Sequence, residues 1–324
     1  MEKIDYNNAD LAISRKSYYE LENECQWRFD EGGKFWHLYT NGNATDILFT
    51  NHEEFCFGMN LIPWCLSRSS GIRILTFVLM SNHIHMIISG ENNTCLKFFE
   101  SYKERLKRYF FTMKKVVDLS HFEANLFQID NLTILRNEIV YVNRNAYLVN
   151  NSHTPFSYIW GTSNKIYNDK YFQSIGIKYN SLTITRRREI CHSKEIEMPD
   201  NMMVVNEIID PLSYCHIEEC EQYFRNAHHY FYLLTKNHEV NSEIAKRLID
   251  TIIITDDEMY SAISSLCYKS YQIKQPSLLP AKDKITLAKK MHFSYNATNK
   301  QINRILKLDL YIIEDLFGSK SKSK

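Results

Sequence analysis

The sequence lacks the features that mark membrane-spanning, secreted or uniformly basic proteins. No run in its 324 residues approaches the roughly 18 consecutive apolar residues that a membrane-spanning helix needs. The first ten residues, MEKIDYNNAD, contain no basic segment followed by an apolar one, so they do not resemble a secretory signal. The formal net charge is only +1, so a polyanionic partner would have to be bound by local basic patches. We therefore expect a cytoplasmic protein.

Cysteine is present, but never in a Cys-x-x-Cys pair. The eight cysteines are scattered, which is typical of reduced and mostly buried thiols. The segment YCHIEECEQYFRNAHH (214–229) gathers five possible zinc ligands, namely Cys215, His216, Cys220, His228 and His229. Four residues separate its two cysteines, a spacing that matches no common zinc finger, so we favour structural roles for these side chains.

Apolar and aromatic residues are abundant, at 44% and 13% of the chain, which indicates a packed globular protein. Hydrophobic periodicity predicts strands at 35–41, 72–80 and 125–129, and helices at 51–71, 92–115 and 130–149. Pro63 should kink or end the helix at 51–71. The apolar stripe of the last helix consists of Leu132, Leu135, Ile139 and Val142. This order predicts an α+β fold, with one antiparallel sheet and helices packed against one face.

The length is sufficient for more than one domain. We expect a first domain over 1–165 and a connecting, partly helical region over 166–240. In that region we interpret TRRRE (185–189) as an exposed turn. Residues 241–324 are predicted to form a helical domain.

Two histidines interrupt the apolar run VLMSNHIHMIISG (78–90). We interpret the run as a strand that ends at Gly90, in which residues i and i+2 point to the same face. His83 and His85 would then project side by side. Two neutral imidazoles at this spacing can hold a divalent metal. The pattern equally allows two core histidines with buried polar partners.

Two stretches concentrate positive charge. In the helix predicted at 92–115, basic residues outnumber the two glutamates, and they include Lys103, Arg105, Lys107, Arg108, Lys114 and Lys115. In the tail, predicted helices at 284–293 and 299–308 flank a polar turn, and Thr298 or Asn299 can cap the second. This is a helix-turn-helix layout whose candidate DNA-binding residues are Lys289, Lys290, Lys300 and Arg304. Both stretches can contact a phosphate backbone, or can be solvated faces of ordinary helices.

Three segments together resemble the single-tyrosine HUH transposases, in particular the REP-associated tyrosine transposase branch. They are FWHLYTNGN (35–43), VLMSNHIHMII (78–88) and LRNEIVYVNRNAYLV (135–149). The resemblance covers about 33–165, and the tail is similar to the extra helix-turn-helix domain of some branches. It implies a ferredoxin-like antiparallel sheet with helices on one face.

The resemblance also implies a catalytic set. His83, His85 and, by position, Asn145 would hold Mg²⁺ or Mn²⁺, and Tyr141 would be the nucleophile. Residues i and i+4 of a helix share a face, so Tyr141 and Asn145 would approach the metal together.

Alternatives exist for each role. Tyr147 is a reserve nucleophile, Asn143 an alternative ligand, and His37 a sheet residue near the site. The sequence departs from the family at Asn41, where an arginine usually precedes Gly-Asn, and at Ser81, where proline is usual.

The function implied is a metal-dependent, single-stranded DNA endonuclease and strand transferase. It would act on hairpin or repeat DNA through a 5′-phosphotyrosine intermediate, with the tail helices contacting duplex DNA, and a homodimer is one possible arrangement. One alternative is a DNA-binding regulator with an inactive or domesticated catalytic domain. The other is a metal hydrolase in which water replaces Tyr141 as the nucleophile.

Overall fold

The computed structural model describes residues 17–42, 45–148, 156–168, 176–236, 238–248, 256–295 and 297–318. Its strands are β1 (Phe35–Tyr39), β2 (Arg73–Leu79), β3 (Ile84–Ser89), β4 (Asn125–Ile129), β5 (Ile177–Lys178), β6 (Met203–Val205) and β7 (Ile208–Ile209). Its helices are α1 (Tyr18–Glu31), α2 (His52–Leu66), α3 (Asn92–Thr112), α4 (Leu132–Leu148), α5 (Ile184–Cys191), α6 (Ile217–Gln222), α7 (Ala227–Lys236), α8 (His238–Leu248), α9 (Asp256–Tyr271), α10 (Ala281–Tyr295), α11 (Asn299–Leu306) and α12 (Leu310–Phe317). Within these ranges no helix is long and apolar enough to cross a membrane.

The main sheet has four antiparallel strands in the order β2-β3-β1-β4, which confirms the predicted α+β class. The predicted helices and strands of the first 150 residues are present, with ends shifted by a few residues. Pro63 lies inside α2, which continues for three residues beyond it. The four predicted stripe residues of α4, Leu132, Leu135, Ile139 and Val142, are all buried.

The segment 78–90 is not one strand, so the sequence interpretation was wrong here. The chain turns at 80–83, where the Met80 amide donates to the His83 carbonyl oxygen at 2.9 Å, and β3 begins only at Ile84. His83 therefore lies in the loop of a hairpin, while His85 lies in the strand and pairs with Val78. The loop contains no glycine or proline, so Ser81-Asn82 was the only turn signal in the sequence.

Helices cover both faces of this sheet, not one. Gly58 of α2 lies against Leu79, since a Cβ there would come within 2.8 Å of Leu79 Cδ2. Leu79 points away from the face of its neighbour Val78, which pairs with His85, and the Tyr102 hydroxyl of α3 donates to the Gly58 carbonyl oxygen. The α2–α3 layer thus covers the face opposite His85. The helix α4 covers the His85 face, because its Glu138 reaches His37 and its Asn143 reaches Thr76 there. Both apolar faces of the sheet are thus covered by a layer of helices.

Polar contacts fix α4 on the sheet. The Thr76 hydroxyl of β2 donates to Asn143 Oδ1 at 2.8 Å, entirely within the interior. At the other end of the helix, the Arg136 guanidinium donates to both carboxylate oxygens of Glu22 in α1 and to the Tyr223 carbonyl oxygen. The Arg136 side chain is 6% exposed, so its charge depends on these partners.

The middle of the chain is more regular than predicted. It forms a second sheet, β5-β6-β7, whose strands of two or three residues are too short to show a period. The TRRRE segment is not a turn. It belongs to α5, which Thr183 caps by accepting a hydrogen bond from the Arg186 amide.

The described residues after 238 are helical outside turns, as predicted. The helices α8 to α12 share a hydrophobic cluster that also contains Tyr141 of α4. Thr298 caps α11 in a reciprocal pair with Gln301, which confirms the predicted start of that helix. The helical tail therefore packs on the helix that carries the predicted nucleophile.

Candidate active site

The candidate site lies on the face of the sheet that α4 covers. Tyr39 pairs with His85 across β1 and β3, so both side chains project to this face. His37 lies two residues before Tyr39 and projects there as well. The side chains of His37 and His85 are fully buried, so each requires a hydrogen-bonding partner in the interior.

The two predicted metal ligands are neighbours despite the turn between their strands. The ring centroids of His83 and His85 lie 5.1 Å apart, with the ring planes nearly perpendicular. His83 is half-buried in the hairpin loop and His85 is inaccessible in β3. The sequence prediction that both imidazoles share one face therefore gives the right proximity, although its reason, a continuous strand, was wrong.

A chain of hydrogen bonds runs from His85 to a buried carboxylate. His85 Nδ1 lies 3.0 Å from His37 Nε2, and His37 Nδ1 lies 2.7 Å from Glu138 Oε2 on α4. The other carboxylate oxygen of Glu138 forms an ion pair with Arg247 of α8. Four side chains from two strands and two helices thus form one connected network.

The network determines which ring nitrogens carry protons. Burial lowers the pKa of His37, so its ring is neutral at physiological pH. Burial alone would raise the pKa of Glu138, but the hydrogen bond from His37 and the charge of Arg247 outweigh it and lower the pKa. The ionised carboxylate accepts a hydrogen bond from His37 Nδ1–H, so His37 Nε2 must accept one from His85 Nδ1–H. The lone pair of His85 is therefore on Nε2.

The same arrangement applies to His83. The Asn82 amide nitrogen donates to the Gly42 carbonyl oxygen at 2.6 Å, which directs Asn82 Oδ1 towards His83. His83 Nδ1 lies 2.8 Å from that oxygen and donates to it, so the lone pair of His83 is also on Nε2. Both histidines are consequently held in the tautomer whose lone pair is on Nε2, a form in which an imidazole could hold a metal.

Gly42 forms a close-fitting support for His83. A Cβ at position 42 would lie 2.7 Å from His83 Nδ1, which is shorter than any normal contact. The glycine of the segment FWHLYTNGN thus has a physical role, because only a residue without a side chain lets the ring approach this backbone.

Tyr141 lies against the histidines. Its ring centroid is 5.6 Å from that of His85 and 6.0 Å from that of His37. The tyrosine side chain is 1% exposed, and it belongs to the hydrophobic cluster of the C-terminal helices. Arg144 lies three residues later, on the adjacent helical position, and its side chain is also buried.

Asn145 is buried one helical turn after Tyr141, and its Nδ2 atom has no hydrogen-bond partner within the described part of the chain. Asn143, the alternative ligand, is occupied elsewhere: its oxygen accepts from Thr76 and its nitrogen donates to the Ile139 carbonyl oxygen. Tyr147 belongs to α4, but its side chain lies outside the described residues.

The basic residues predicted on α3 are not brought to this site. They belong to the layer on the opposite face of the sheet, and the Arg105 guanidinium there stacks on Trp64 and donates to the carbonyl oxygens of Cys191 and His192. Lys107 and Arg108 are exposed and Lys103 is half-buried. In the tail, the predicted DNA-binding residues Lys289, Lys290, Lys300 and Arg304 are all exposed.

Cysteine does not contribute to the histidine site. All eight cysteines are free and buried, as expected from their spacing. Burial raises the pKa of both Cys215 and Cys220 well above the ordinary value, which suits the structural role inferred for the 214–229 segment.

A different group of side chains can hold a metal. The ligand atoms of His52, Cys56 and Glu207 all lie within 4.8 Å of one another. Sequence reasoning missed this group, and its only local signal was the His-x-x-x-Cys spacing at the start of α2.

Sequence reasoning also missed the roles of Glu138 and Arg247 in the hydrogen-bond network. A signal existed for Glu138, which lies three residues before Tyr141 and thus near the same helical face. No local signal existed for Arg247, because it is 109 positions from its partner.

Comparisons with protein-family models, curated proteins and solved structures give no match.

Proposed function

We propose that this protein is a metal-dependent nuclease and strand transferase that cuts single-stranded DNA with Tyr141. The observation that carries the proposal is the packing of Tyr141 against the rings of His37 and His85, with the lone pair of His85 held on Nε2. The strand order β2-β3-β1-β4, with α2 and α3 on one face, supports a ferredoxin-like sheet. The resemblance to single-tyrosine HUH transposases agrees with both features.

The donor set fits a divalent metal. His83 and His85 each offer Nε2, and Asn145 offers an amide oxygen while its own Nδ2 lacks a partner within the described ranges. Two imidazoles and one amide leave half of a six-coordinate Mg²⁺ or Mn²⁺ shell for phosphate oxygens and water. Such an ion would polarise the scissile phosphate and offset the charge of the transition state.

Tyr141 supplies the nucleophile in this proposal. Its phenolic oxygen attacks the phosphorus, a tyrosyl O–P bond forms, and the P–O3′ bond breaks. The 3′ oxygen takes up a proton and leaves as a 3′-OH, while the 5′ phosphate stays on the protein. Attack by a 3′-OH reverses the step, so the strand can be rejoined without another energy source.

Positive charge near the phenol assists its deprotonation, since free tyrosine loses its proton only near pH 10. Arg144 brings a buried guanidinium to the adjacent position of α4. Glu138 and His37 act indirectly, by holding the orientation and tautomer of His85. Glu138 and His37 are therefore positioning residues, and neither needs to touch the DNA.

The burial of Tyr141 means that this conformation is closed to a DNA strand. The C-terminal helices must shift for the substrate to enter, and their exposed basic residues are suited to contact duplex DNA next to the cut. The α3 residues face the other way, so they are assigned no contact with the scissile phosphate.

The test is to incubate the purified chain with fluorescent hairpin oligonucleotides from DNA flanking its own gene, with Mn²⁺ or with EDTA. A denaturing gel should show a protein–DNA band that requires Mn²⁺ and disappears in Tyr141→Phe. Tyr102→Phe is the matched control, because Tyr102 is equally buried but lies in the α2–α3 layer. A band that persists in Tyr141→Phe would exclude this nucleophile. Nicking without any adduct would favour the hydrolase with water as nucleophile.

The second candidate is a DNA-binding regulator, which the near-complete burial of Tyr141 favours. It predicts metal-independent binding of duplex DNA through the tail, and no covalent product with any hairpin. Substituting Lys300 and Arg304 would abolish binding in that case, whereas substituting His83 and His85 would have no effect.

A further inference from the structure

A cavity of about 500 Å³ lies on the opposite side of the sheet from the histidine site, beside the start of α2. Its wall contains His52, Cys56 and Glu207, together with Arg186, Glu189 and His192. His52 and Cys56 are separated by four positions, so they lie on the same face of the first turns of α2. Glu207 reaches the same point from the turn between β6 and β7.

We propose that His52, Cys56 and Glu207 form a second metal site, which takes Zn²⁺ or a divalent ion of similar chemistry. The three residues offer nitrogen, sulfur and oxygen, the ligand types that Zn²⁺ accepts. With metal–ligand distances of about 2.0–2.3 Å, tetrahedral ligand atoms lie roughly 3.3–3.8 Å apart. Because the three ligand atoms lie within 4.8 Å of one another, the closure needed is at most about 1.5 Å. Because His52 and Glu207 are exposed, side-chain rotation can supply it.

The turn that carries Glu207 is held in an unusual conformation. Asn206 and Glu207 have φ angles of 48° and 70°, a left-handed region that residues other than glycine seldom adopt. Asn60 of α2 holds this turn: its amide nitrogen donates to the Glu207 carbonyl oxygen at 2.9 Å, and its oxygen accepts from the Ile209 amide at 2.7 Å. Asn60 is itself buried. The strained turn is thus fixed at the point where the Glu207 carboxylate meets α2, and strained residues of this kind are common at functional sites.

The local charge also suits a cation. Two carboxylates, those of Glu207 and Glu53, lie close enough to Cys56 to act on the charge of its thiol. A bound cation would compensate the two carboxylates and stabilise the thiolate. Arg186 pairs with only one oxygen of Glu207, at 2.6 Å, so the second carboxylate oxygen is the one available to a metal.

The cavity determines what would occupy the fourth coordination position of the bound ion. Three protein ligands leave one tetrahedral position, which is the arrangement of catalytic zinc sites and not of closed structural ones. The neighbouring space has room for several water molecules. A water molecule or a small anion would occupy the fourth position, with Arg186 at the cavity wall. This site shares no residue with the histidine site, so it does not depend on the proposed DNA chemistry.

The test uses Co²⁺ as a spectroscopic substitute for Zn²⁺, with the full-length chain carrying His83→Ala and His85→Ala so that the histidine site does not contribute. We expect one equivalent of Co²⁺ with a thiolate-to-cobalt charge-transfer band that Zn²⁺ displaces. Cys56→Ser should abolish the band, and His52→Gln or Glu207→Gln should weaken Co²⁺ binding at least tenfold. Cys65→Ser, a second buried cysteine of α2 outside the cluster, should leave the band unchanged.

Two results would overturn the assignment. One is the absence of any thiolate band at saturating Co²⁺. The other is a band that survives Cys56→Ser, which would place the ion on another cysteine. Because His52 and Glu207 are exposed, their variants should retain the fold, and circular dichroism checks this.

Discussion

His37 on β1 and His85 on β3 are joined ring to ring by a hydrogen bond of 3.0 Å between Nε2 and Nδ1. Two imidazoles can form such a bond only if one donates and the other accepts, so the proton positions of the two rings are coupled. Glu138 determines the direction of the bond by accepting from the far side of His37. A buried carboxylate on α4 thus determines that the lone pair of a histidine on β3 is on Nε2, the nitrogen that we propose binds the metal.

This coupling gives the first prediction. In Glu138→Gln the anchoring carboxylate is lost, and the tautomer of His85 is no longer fixed. The affinity for Mn²⁺ should fall by about 10–100-fold, as is usual when the partner of a metal-binding histidine is removed. Titration followed by electron paramagnetic resonance of free Mn²⁺ measures it. Thr76→Val, which disturbs a buried polar pair on the same face without contacting a histidine, is the control. An unchanged affinity in Glu138→Gln would mean that the network is only structural.

The second prediction concerns Gly42. In Gly42→Ala the new Cβ would lie 2.7 Å from His83 Nδ1, so the ring must rotate away from Asn82 and from its present orientation. Mn²⁺ affinity should fall at least fivefold while the melting temperature changes little, because the loop is at the surface. Ser81→Ala, at an exposed position of the neighbouring hairpin loop, should leave affinity unchanged. A Gly42→Ala protein with normal affinity would show that the close contact is not needed.

The third prediction concerns the pH dependence of stability. Burial of Glu22 is outweighed by hydrogen bonds from Arg136 and Arg225, which lower its pKa below the ordinary 4.5. A depressed carboxyl pKa contributes stability that is fully present above pH 4.5 and lost as the pH falls through the folded-state value. Glu22→Gln should therefore lower the free energy of unfolding at pH 7 by about 1–2 kcal/mol, since the carboxylate is one-third exposed.

The measurement is urea denaturation of wild type and Glu22→Gln between pH 7 and pH 3. The difference between the two proteins should shrink below pH 4.5. Glu31→Gln, at the exposed end of the same helix, provides the comparison for a carboxylate without buried partners. A difference that stays constant down to pH 3 would assign the loss to packing and not to charge.

The fourth prediction concerns the packing of α8 over Tyr141. Leu248 of α8 is buried in the cluster that contains this tyrosine. Leu248→Ala should cost about 2–4 kcal/mol of stability and loosen α8. Nitration of Tyr141 by tetranitromethane should then become faster, together with amide hydrogen exchange in α8. Leu234→Ala, which creates a comparable cavity in the other cluster, should not speed nitration. Equal acceleration in both variants would indicate global unfolding, and no acceleration would show that α8 does not cover the ring.

How much of this could be predicted from the sequence depends on the range of the interactions. The helix α4 was predicted accurately because its stripe of Leu132, Leu135, Ile139 and Val142 repeats at helical spacing over several turns. His83 was placed in the same strand as His85 because Ser81-Asn82 is a weak turn signal inside an apolar run, whereas β3 begins at Ile84. The strands of the second sheet were missed because two or three residues cannot display a period.

The residues of the candidate site likewise divide into those selected from the sequence and those found only in the structure. His83 and His85 were selected from their local spacing and Tyr141 from the family resemblance, and the structure places the His85 ring next to both of the others. The proton positions depend on His37, Glu138 and Arg247, which meet only because β1 and β3 pair in one register and α8 packs against α4. Likewise, Glu207 reaches His52 and Cys56 through a turn about 150 positions away. Contacts of this range are set by tertiary packing and leave no periodic trace in the sequence.

The central claim is that Tyr141 becomes bonded to DNA, and peptide mapping tests it most directly. After reaction with a hairpin substrate and Mn²⁺, digestion with nuclease and trypsin leaves a nucleotide on the modified peptide. Trypsin cuts after Arg136 and Arg144, so Tyr141 and Tyr147 fall on different peptides, 137–144 and 145–165. We expect the added mass on peptide 137–144. The same mass on 145–165, or on no tyrosine peptide while nicking proceeds, would contradict the proposed mechanism.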